Sequence, residues 1–406
     1  MIKVRGMTDR RPFGARVKFY RERRGLHQWQ LGELLNRSED WVYRVEAGKI
    51  PVNNIKMLAD LANTLRVHVE DLQGAPSLLD DREDHAGSVP AIRAALMRSR
   101  RLAGSLYDAR EPLRLERLAV EVDAAWSLYQ HGQYAQLAGR LPSLLADARM
   151  ATQEHSAGRD KSEALRLFAL TCHVTAAFLR KLGETNLAWI AADQGDIAAS
   201  ASGDVGTVVA LRRCVAHVQL GAGLAEDAVN VTQDAAADLP DGWWETSPAS
   251  LSLYGTLLLN GAVAAARLRD RPLADGMIAQ AQQAADRLGG DKNEMWTSFG
   301  PTNVDIHRLA LALEFEDVQL AVDIAPKVKP TGLPLERRAR ARLDVARAYG
   351  EAGRTDEAID HLKRAYRNAP EQMRAHGLAR DLARRLYKRS PRRDVRDLAL
   401  GLGAFD

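Results

Sequence analysis

Apolar residues recur along this chain at three- and four-residue intervals and almost nowhere in strict alternation, which is the helical pattern. Near the start, Phe13, Val17 and Tyr20 share one face, and Arg16, Lys18, Arg21, Arg23 and Arg24 lie mostly elsewhere. The spacing predicts a helix from about Pro12 to Arg24, opened by proline and closed by a left-handed Gly25. A second helix is expected over 27–35, with Trp29 or Gln30, Leu31 and Leu34 around it. Asn36-Arg37 makes a turn in which Asn tolerates positive φ. Ser38 then caps a third helix, with Glu39 and Asp40 in its first turn, Val42 and Val45 facing inward and Gly48 ending it. Asn53 caps a fourth helix carrying Ile55, Leu58, Ala59, Ala62 and Leu65, and Val67, Val69 and Leu72 pack the close.

Residues 73–90, QGAPSLLDDREDHAGSVP, are acidic and carry Gly and Pro, the composition of a linker. From about Val89 onward long amphipathic helices alternate with short polar turns, and no strand pattern is visible. Turns fall at HGQY (131–134), KLGE (181–184), GAG (221–223), RDRP (269–272) and EFED (314–317), each expected to separate a longer helix from a shorter one. Their spacing is irregular, roughly 37–50 residues. The expected domains are 1–72, a linker over 73–90, and a helical-repeat domain over 91–406.

The chain has 406 residues, enough for two or three domains, and its leucine- and alanine-rich, aromatic-poor composition favours helix. No apolar run is expected to reach the ~18 residues of a membrane span. The charged start, MIKVRGMTDRR, lacks a signal-peptide core, so the expected compartment is the cytoplasm, with no membrane partner. Cys172 and Cys214 read as reduced core residues. Charge is uneven. Residues 1–66 carry 14 Lys/Arg and 7 Asp/Glu, net +7, and residues 337–406 carry 18 and 10, net +8. The middle is therefore 4 − 7 − 8 = −11. Basic ends suggest a polyanion partner at one end or both, and a solvated surface is the plainer reading of the C-terminal one. The acidic middle favours a neutral or cationic ligand.

Five short helices with a tight turn between the second and third make a helix-turn-helix domain. The segment GLHQWQLGELLNRSEDWVYRVEAGKIPVNNIKMLADLANTL resembles the Cro/phage-repressor (XRE) family in Gly25, Leu26, Gln28, Leu31, Ser38, Val42, Glu46 and Gly48. Gly32 stands where that family usually has Ala, and Asn36 where it usually has Gly. The Ser-x-x-Trp-Val form is similar to actinobacterial members. The likeness covers residues 13–72 and implies a Glu46–Arg21 pair that positions the reading helix, and a phosphate contact by Gln28. Further on, Val345, Ala346, Tyr349, Ala358, Leu362, Ala365 and Pro370 fall where a tetratricopeptide repeat has its packing residues. The expected fold is thus all-α: a five-helix helix-turn-helix domain followed by a tetratricopeptide-like α-solenoid of antiparallel helix pairs.

With Val42 and Val45 in the core, Glu39, Asp40, Tyr43 and Arg44 point outward from a helix that in this motif enters the major groove of double-stranded DNA. Arg44 can fork onto guanine, an acid can accept from cytosine N4, and Tyr43 can touch a thymine methyl or a phosphate. Glu39 and Asp40 can equally serve only the positive end of the helix. Trp41 reads as packing against the first two helices. Ser38 and Lys49, with Asn53 and Asn54 at the start of the fourth helix, complete the candidate DNA-binding set.

Candidate ligand contacts are Trp243, in DGWWETSP, and Asn260, Trp296, Asn303 and His307. Trp243 reads as a stacking wall or as a loop pinned to the core. Thr302 or Asn303 could cap a helix, with His307 one turn on, or Asn303 could bind a peptide backbone through both ends of its amide. Asn260 could bond a neighbouring carbonyl or face the same groove, and Trp296 could close it. No phosphate loop, metal spacing or nucleophile elbow is visible, so no cofactor and no enzymatic activity are expected. The reading is a homodimeric transcription regulator sensing a peptide or small molecule. Alternatives are control by a protein partner, a constitutive plasmid- or phage-type repressor, and an enzyme hidden in the helical body.

Overall fold

Twenty α-helices and no strand run through the described residues of the computed structural model, which are 13–52, 55–65, 67, 72, 88–97 and 113–405. Four helices form the N-terminal head: α1 (Phe13–Arg23), α2 (Gln28–Leu34), α3 (Glu39–Glu46) and α4 (Ile55–Leu65). Gly25, Asn36 and Gly48 all take positive φ at the predicted turns. Phe13, Val17, Leu31, Val42, Val45, Leu58, Leu61 and Leu65 build the head's core. Leu31 on α2 and Leu35 just after it face inward, and Leu34 stands 60% exposed. At Gly32, where the resembling family usually has alanine, an added Cβ would sit 2.7 Å from the Arg37 carbonyl oxygen. Gly14 likewise lets α1 meet the backbone of α3, where a Cβ would lie 2.4 Å from the Val45 oxygen. Buried Arg16 donates from Nε to the Leu72 carbonyl at 2.6 Å, tying α1 to the end of the head. Asn53, Asn54, Val69 and most of the expected fifth helix lie outside the described residues, as does 73–87.

The body opens with α5 (Ser88–Met97), so the last residues of the expected linker are helical. Val89, Ile92 and Leu96 are buried in the first repeats, and Arg149 and Gln194 donate to the helix's terminal carbonyls, those of Ala95 and Leu96. Six antiparallel pairs follow: α6 (Leu115–Gln130) with α7 (Tyr134–Glu154), α8 (Gly158–Lys181) with α9 (Thr185–Ser202), α10 (Val205–Ala222) with α11 (Ala225–Ala237), α12 (Pro248–Arg267) with α13 (Arg271–Leu288), α14 (Pro301–Glu314) with α15 (Val318–Ile324), and α16 (Leu335–Glu351) with α17 (Thr355–Asn368). The chain closes with α18 (Pro370–Ala375), α19 (Gly377–Arg389) and α20 (Arg393–Gly401). Each pair turns through one left-handed residue: Gly132, Gly183, Gly223, Arg269, Glu316 and Gly353. The first helix is the longer in every pair but the first, where α7 has 21 residues against 16.

The pairs stack into a tetratricopeptide-like α-solenoid that coils until its ends meet. Lys181 on α8 pairs with Glu336 on α16, the backbone N–H of Ala135 donates to Glu371 at 2.9 Å, and Gly132 lies against Ala369. Helix α12 is long and apolar enough to cross a membrane by length and composition, contrary to the expectation that no run reaches that length, but 78% of its apolar window is buried among neighbouring helices. Its Ser252 and Thr256 donate to carbonyls four residues back.

Candidate nucleic-acid interface and ligand cavity

Helix α3 is held by a part-buried three-residue network. Arg21 on α1 donates from Nε to Glu46 Oε1 at 2.5 Å and from Nη2 to Oε2 at 3.1 Å, and Gln28 Nε2 donates to the same Oε2 at 2.7 Å. The Glu46–Arg21 pair implied by the family resemblance is therefore present. Gln28, at the first turn of α2, is drawn into it. Ser38 Oγ accepts from the Trp41 N–H at 3.1 Å, capping α3 as expected. Trp41 packs against the head's core with the Arg37 guanidinium 5.7 Å from its ring.

The outward face carries Glu39, Asp40, Tyr43 and Arg44, all exposed. Arg44 stands 3.7 Å from Asp40, an exposed i,i+4 pair of the kind worth at most about 0.5 kcal/mol, so Arg44 is readily released. Lys49 lies over the Tyr43 ring at 4.6 Å and donates to its hydroxyl at 3.2 Å. Trp29, expected near a packing face, is 52% exposed beside Gln28.

The head sits against the body. Leu378, at the start of α19, is a member of the head's core, 4% exposed. Gly223, in the turn after α10, lies against Ala59, and Arg37 approaches Glu316, in the turn after α14, at 3.4 Å.

The coiled body curves around an open cavity of about 320 Å³ lined mainly by the first helices of all six pairs. Trp126, Tyr129 and Gln130 come from α6; His173, Arg180 and Lys181 from α8; Arg213 and His217 from α10; Asn260 and Arg267 from α12; Asn303, His307 and Glu314 from α14; and Glu336, Arg337, Arg340, Asp344 and Arg347 from α16. Leu378 and His376 complete the wall, so one residue belongs both to the cavity and to the head's core. A strap over 289–300 closes one side. Gln130 and Asn293 exchange hydrogen bonds at 3.0 and 2.9 Å, and Trp296 stacks on Trp126 with centroids 5.0 Å apart.

Four of the five sequence-derived ligand candidates meet in this cavity: Asn260, Trp296, Asn303 and His307. Asn260 also donates to the Arg213 carbonyl at 3.3 Å. Asn303 is no helix cap; its Oδ1 accepts from Arg337 Nε at 3.1 Å, and it is Asp291 that accepts from the Thr302 N–H at the start of α14. Trp243 does not reach the cavity. It lies in a short 3₁₀ turn, half-buried against the core of the first repeats, while Trp244 stacks on Tyr254.

The lining corrects the expectation of a neutral or cationic ligand. Seven basic side chains, Arg180, Lys181, Arg213, Arg267, Arg337, Arg340 and Arg347, face three acids, Glu314, Glu336 and Asp344, a difference of 7 − 3 = 4. The net acidity of the middle sits on other surfaces, and α16 imports arginines from the basic C-terminal region. Other arginines of that region are spent on ion pairs such as Arg385–Glu351 and Arg384–Asp381. Burial raises the Glu336 carboxyl, but the Lys181 ammonium and the Arg337 and Arg180 guanidiniums outweigh it, so the group stays below its ordinary range. Burial and Arg337 push His307 down to about 3, and burial with Arg213 pushes His173 well below its usual value, so both rings are neutral. Burial raises both Cys172 and Cys214 to about 12, keeping them as inert thiols.

Residues 12–73 match the family model described as a helix-turn-helix domain, and the head is one. No curated protein matches the chain. Among solved structures it is similar to Bacillus thuringiensis PlcR in complex with the peptide PapR7 and DNA, with 12% identity over 86% of this chain and 99% of that one, at a TM-score of 0.30. It is also similar to a Rap protein complexed with Competence and Sporulation Factor, with 11% identity over 89% and 100% of the two chains, at a TM-score of 0.46.

Proposed function

We propose that this chain is a sequence-specific DNA-binding transcription regulator of the XRE type, cytoplasmic and homodimeric, in which the helical-repeat body, residues 91–406, senses a signal and the head, residues 1–72, reads DNA. The observation that carries the reading is the contrast between the two faces of α3. Its inner face is locked by Val42, Val45 and the Arg21–Glu46–Gln28 network. Its outer face offers Arg44 and Tyr43, with Lys49 just beyond the helix, and only an exposed ion pair, a ring contact and an exposed hydrogen bond engage them. A helix-turn-helix domain places that face in the major groove, where Arg44 would read guanine and Asp40 or Glu39 would accept from cytosine. Ser38, Lys49, Asn53, Asn54 and the start of α2 with Gln28 would meet phosphates.

Control runs through the shared wall. Arg340 Nη1 lies 2.8 Å from His376 Nε2, and two residues on Leu378 enters the head's core. A ligand that binds one arrangement of α16 and α19 better than another shifts the head, and the shift can be no larger than that difference in affinity. In a dimer this moves two heads into or out of register with two half-sites. Selection from a random duplex library tests the DNA reading. The full chain should enrich one inverted repeat, and Arg44→Ala should lose preference at one base pair, with a cost of about 1–3 kcal/mol. An unchanged motif from Arg44→Ala would show that this face does not read bases.

A further inference from the structure

The cavity carries more positive charge than its own acids can compensate. Lys181 is paired with Glu336, Arg340 and Arg347 share Asp344, and Arg267 stands 3.8 Å from Glu314. Arg180, Arg213 and Arg337 have no carboxylate within ion-pair distance among the described residues, although they come from three different helices and converge around His217. A second and independent observation concerns donors. Arg213 Nη2 lies 3.3 Å from His173 Nε2, which as acceptor leaves the neutral ring's proton on Nδ1. That Nδ1, the Arg213 Nε and the Trp126 Nε1 are all buried and have no acceptor among the described residues. Buried donors without acceptors and buried cations without counter-charges both cost stability, and one kind of group removes both costs. The cavity's volume, about 320 Å³, lies at the small end of ligand pockets and suits a small molecule better than a length of peptide.

We propose that the central cavity binds a small multivalent oxyanion, gripped by Arg180, Arg213 and Arg337 and hydrogen-bonded by Trp126 and His173. This deepens the sensing role proposed above and rests on it for its regulatory meaning, though the binding itself does not require DNA. Arginine forks suit phosphate and carboxylate alike, so the shared chemistry is an anion with two or more charges. In its bound state the anion would draw α8, α10 and α16 together, and α16 touches His376 next to the head.

The test is thermal unfolding of the full, DNA-free chain with millimolar inorganic pyrophosphate in one arm and citrate in another, at constant ionic strength. A saturable rise in Tm of ~2 °C or more is expected in at least one arm. Pyrophosphate alone would assign a phosphate ligand, and citrate alone a polycarboxylate. Arg213→Gln and Arg337→Gln should each remove the response, read as the rise above that variant's own unliganded Tm, because Arg337 also donates to Asn303 and Arg213 also contacts His173 and losing these contacts shifts the baseline. A merely structural arginine would shift the baseline and leave the rise intact. If Arg213→Gln does not fold, Arg180→Gln on the adjacent helix carries the same test. No saturable rise in either arm, or an equal rise in these variants, would overturn the proposal. Because the readout needs no DNA, it stands or falls separately from the reading of the head as a DNA-binding module.

Discussion

Truncating Leu378 separates the head from the body at one point. This side chain is 4% exposed and lies among head core residues, although it belongs to α19. Leu→Ala at a site that cannot collapse costs about 3 kcal/mol, the lost transfer energy plus the cavity left behind. A polar tie between head and body, Arg37–Glu316, is an exposed pair worth under about 1 kcal/mol. At 1.4 kcal/mol per decade, Leu378→Ala should shift the balance between docked and released head by roughly 100-fold. Amide hydrogen exchange read by mass spectrometry resolves where that cost falls. Protection should drop across α1–α4 and the start of α19 and remain unchanged across α8–α14. Any effect of a cavity ligand on DNA affinity should shrink in the same variant. A uniform loss of protection along the whole chain, or none at the head, would refute the claim that Leu378 is the coupling point.

Other perturbations probe other parts of the account. Gln28→Ala should weaken binding to every DNA sequence alike by ~1 kcal/mol, since it removes a donor to Glu46 and, on the proposed docking, a phosphate contact but no base contact; titrations against matched and scrambled duplexes would expose any selective loss. Gly255→Ala would place a Cβ 1.9 Å from the fully buried Phe299 ring, and a denaturant midpoint lowered by about 1–3 kcal/mol is expected from this overpacking. His173, His217, His307 and His376 all have folded pKa values below the ordinary 6.5, with burial the first cause in each and His307 at about 3. Below 6.5 the unfolded chain takes up protons that the folded chain refuses, so stability should fall as pH drops from 6.5 toward 3 and show no contribution from these rings above 6.5. Urea midpoints across that window should fall with pH, and less steeply in His307→Gln.

The local features of this fold were readable in the sequence because each rests on neighbours in the chain. Positive φ at Gly25, Asn36 and Gly48, the Ser38 cap and the inward Val42 and Val45 follow from residue chemistry over a few positions. So do the repeat turns, though Arg269 and Glu316 hold the left-handed position without the glycine that would have announced it. The cavity was half legible. Asn303 and His307 share a helical face and were found together, and Asn260 and Trp296 drew notice as polar or aromatic residues in unusual settings. Trp126, Arg180, Arg213 and Arg337 were missed, because nothing near any one of them in sequence marks it. Only the coiling of the solenoid brings α6, α8, α10 and α16 around one space. A usable signal is a charged residue or histidine recurring every three or four positions along a first helix, as in Arg213 and His217 or Arg337, Arg340 and Asp344. Regional net charge misled for the same reason, since it averages an acidic exterior with a basic interior. Trp243 misled in another way, because adjacent tryptophans beside a glycine stand out in a sequence whether they line a site or pin a turn.

The central claim is that the head reads DNA under control of the body. Capture of sheared host genomic DNA by the purified full chain, at fixed salt and with and without host culture extract, tests it most directly. The captured fragments should share one inverted repeat, in amounts that change when extract is added. Capture without any shared sequence, at the level of an Arg44→Ala control, would contradict it.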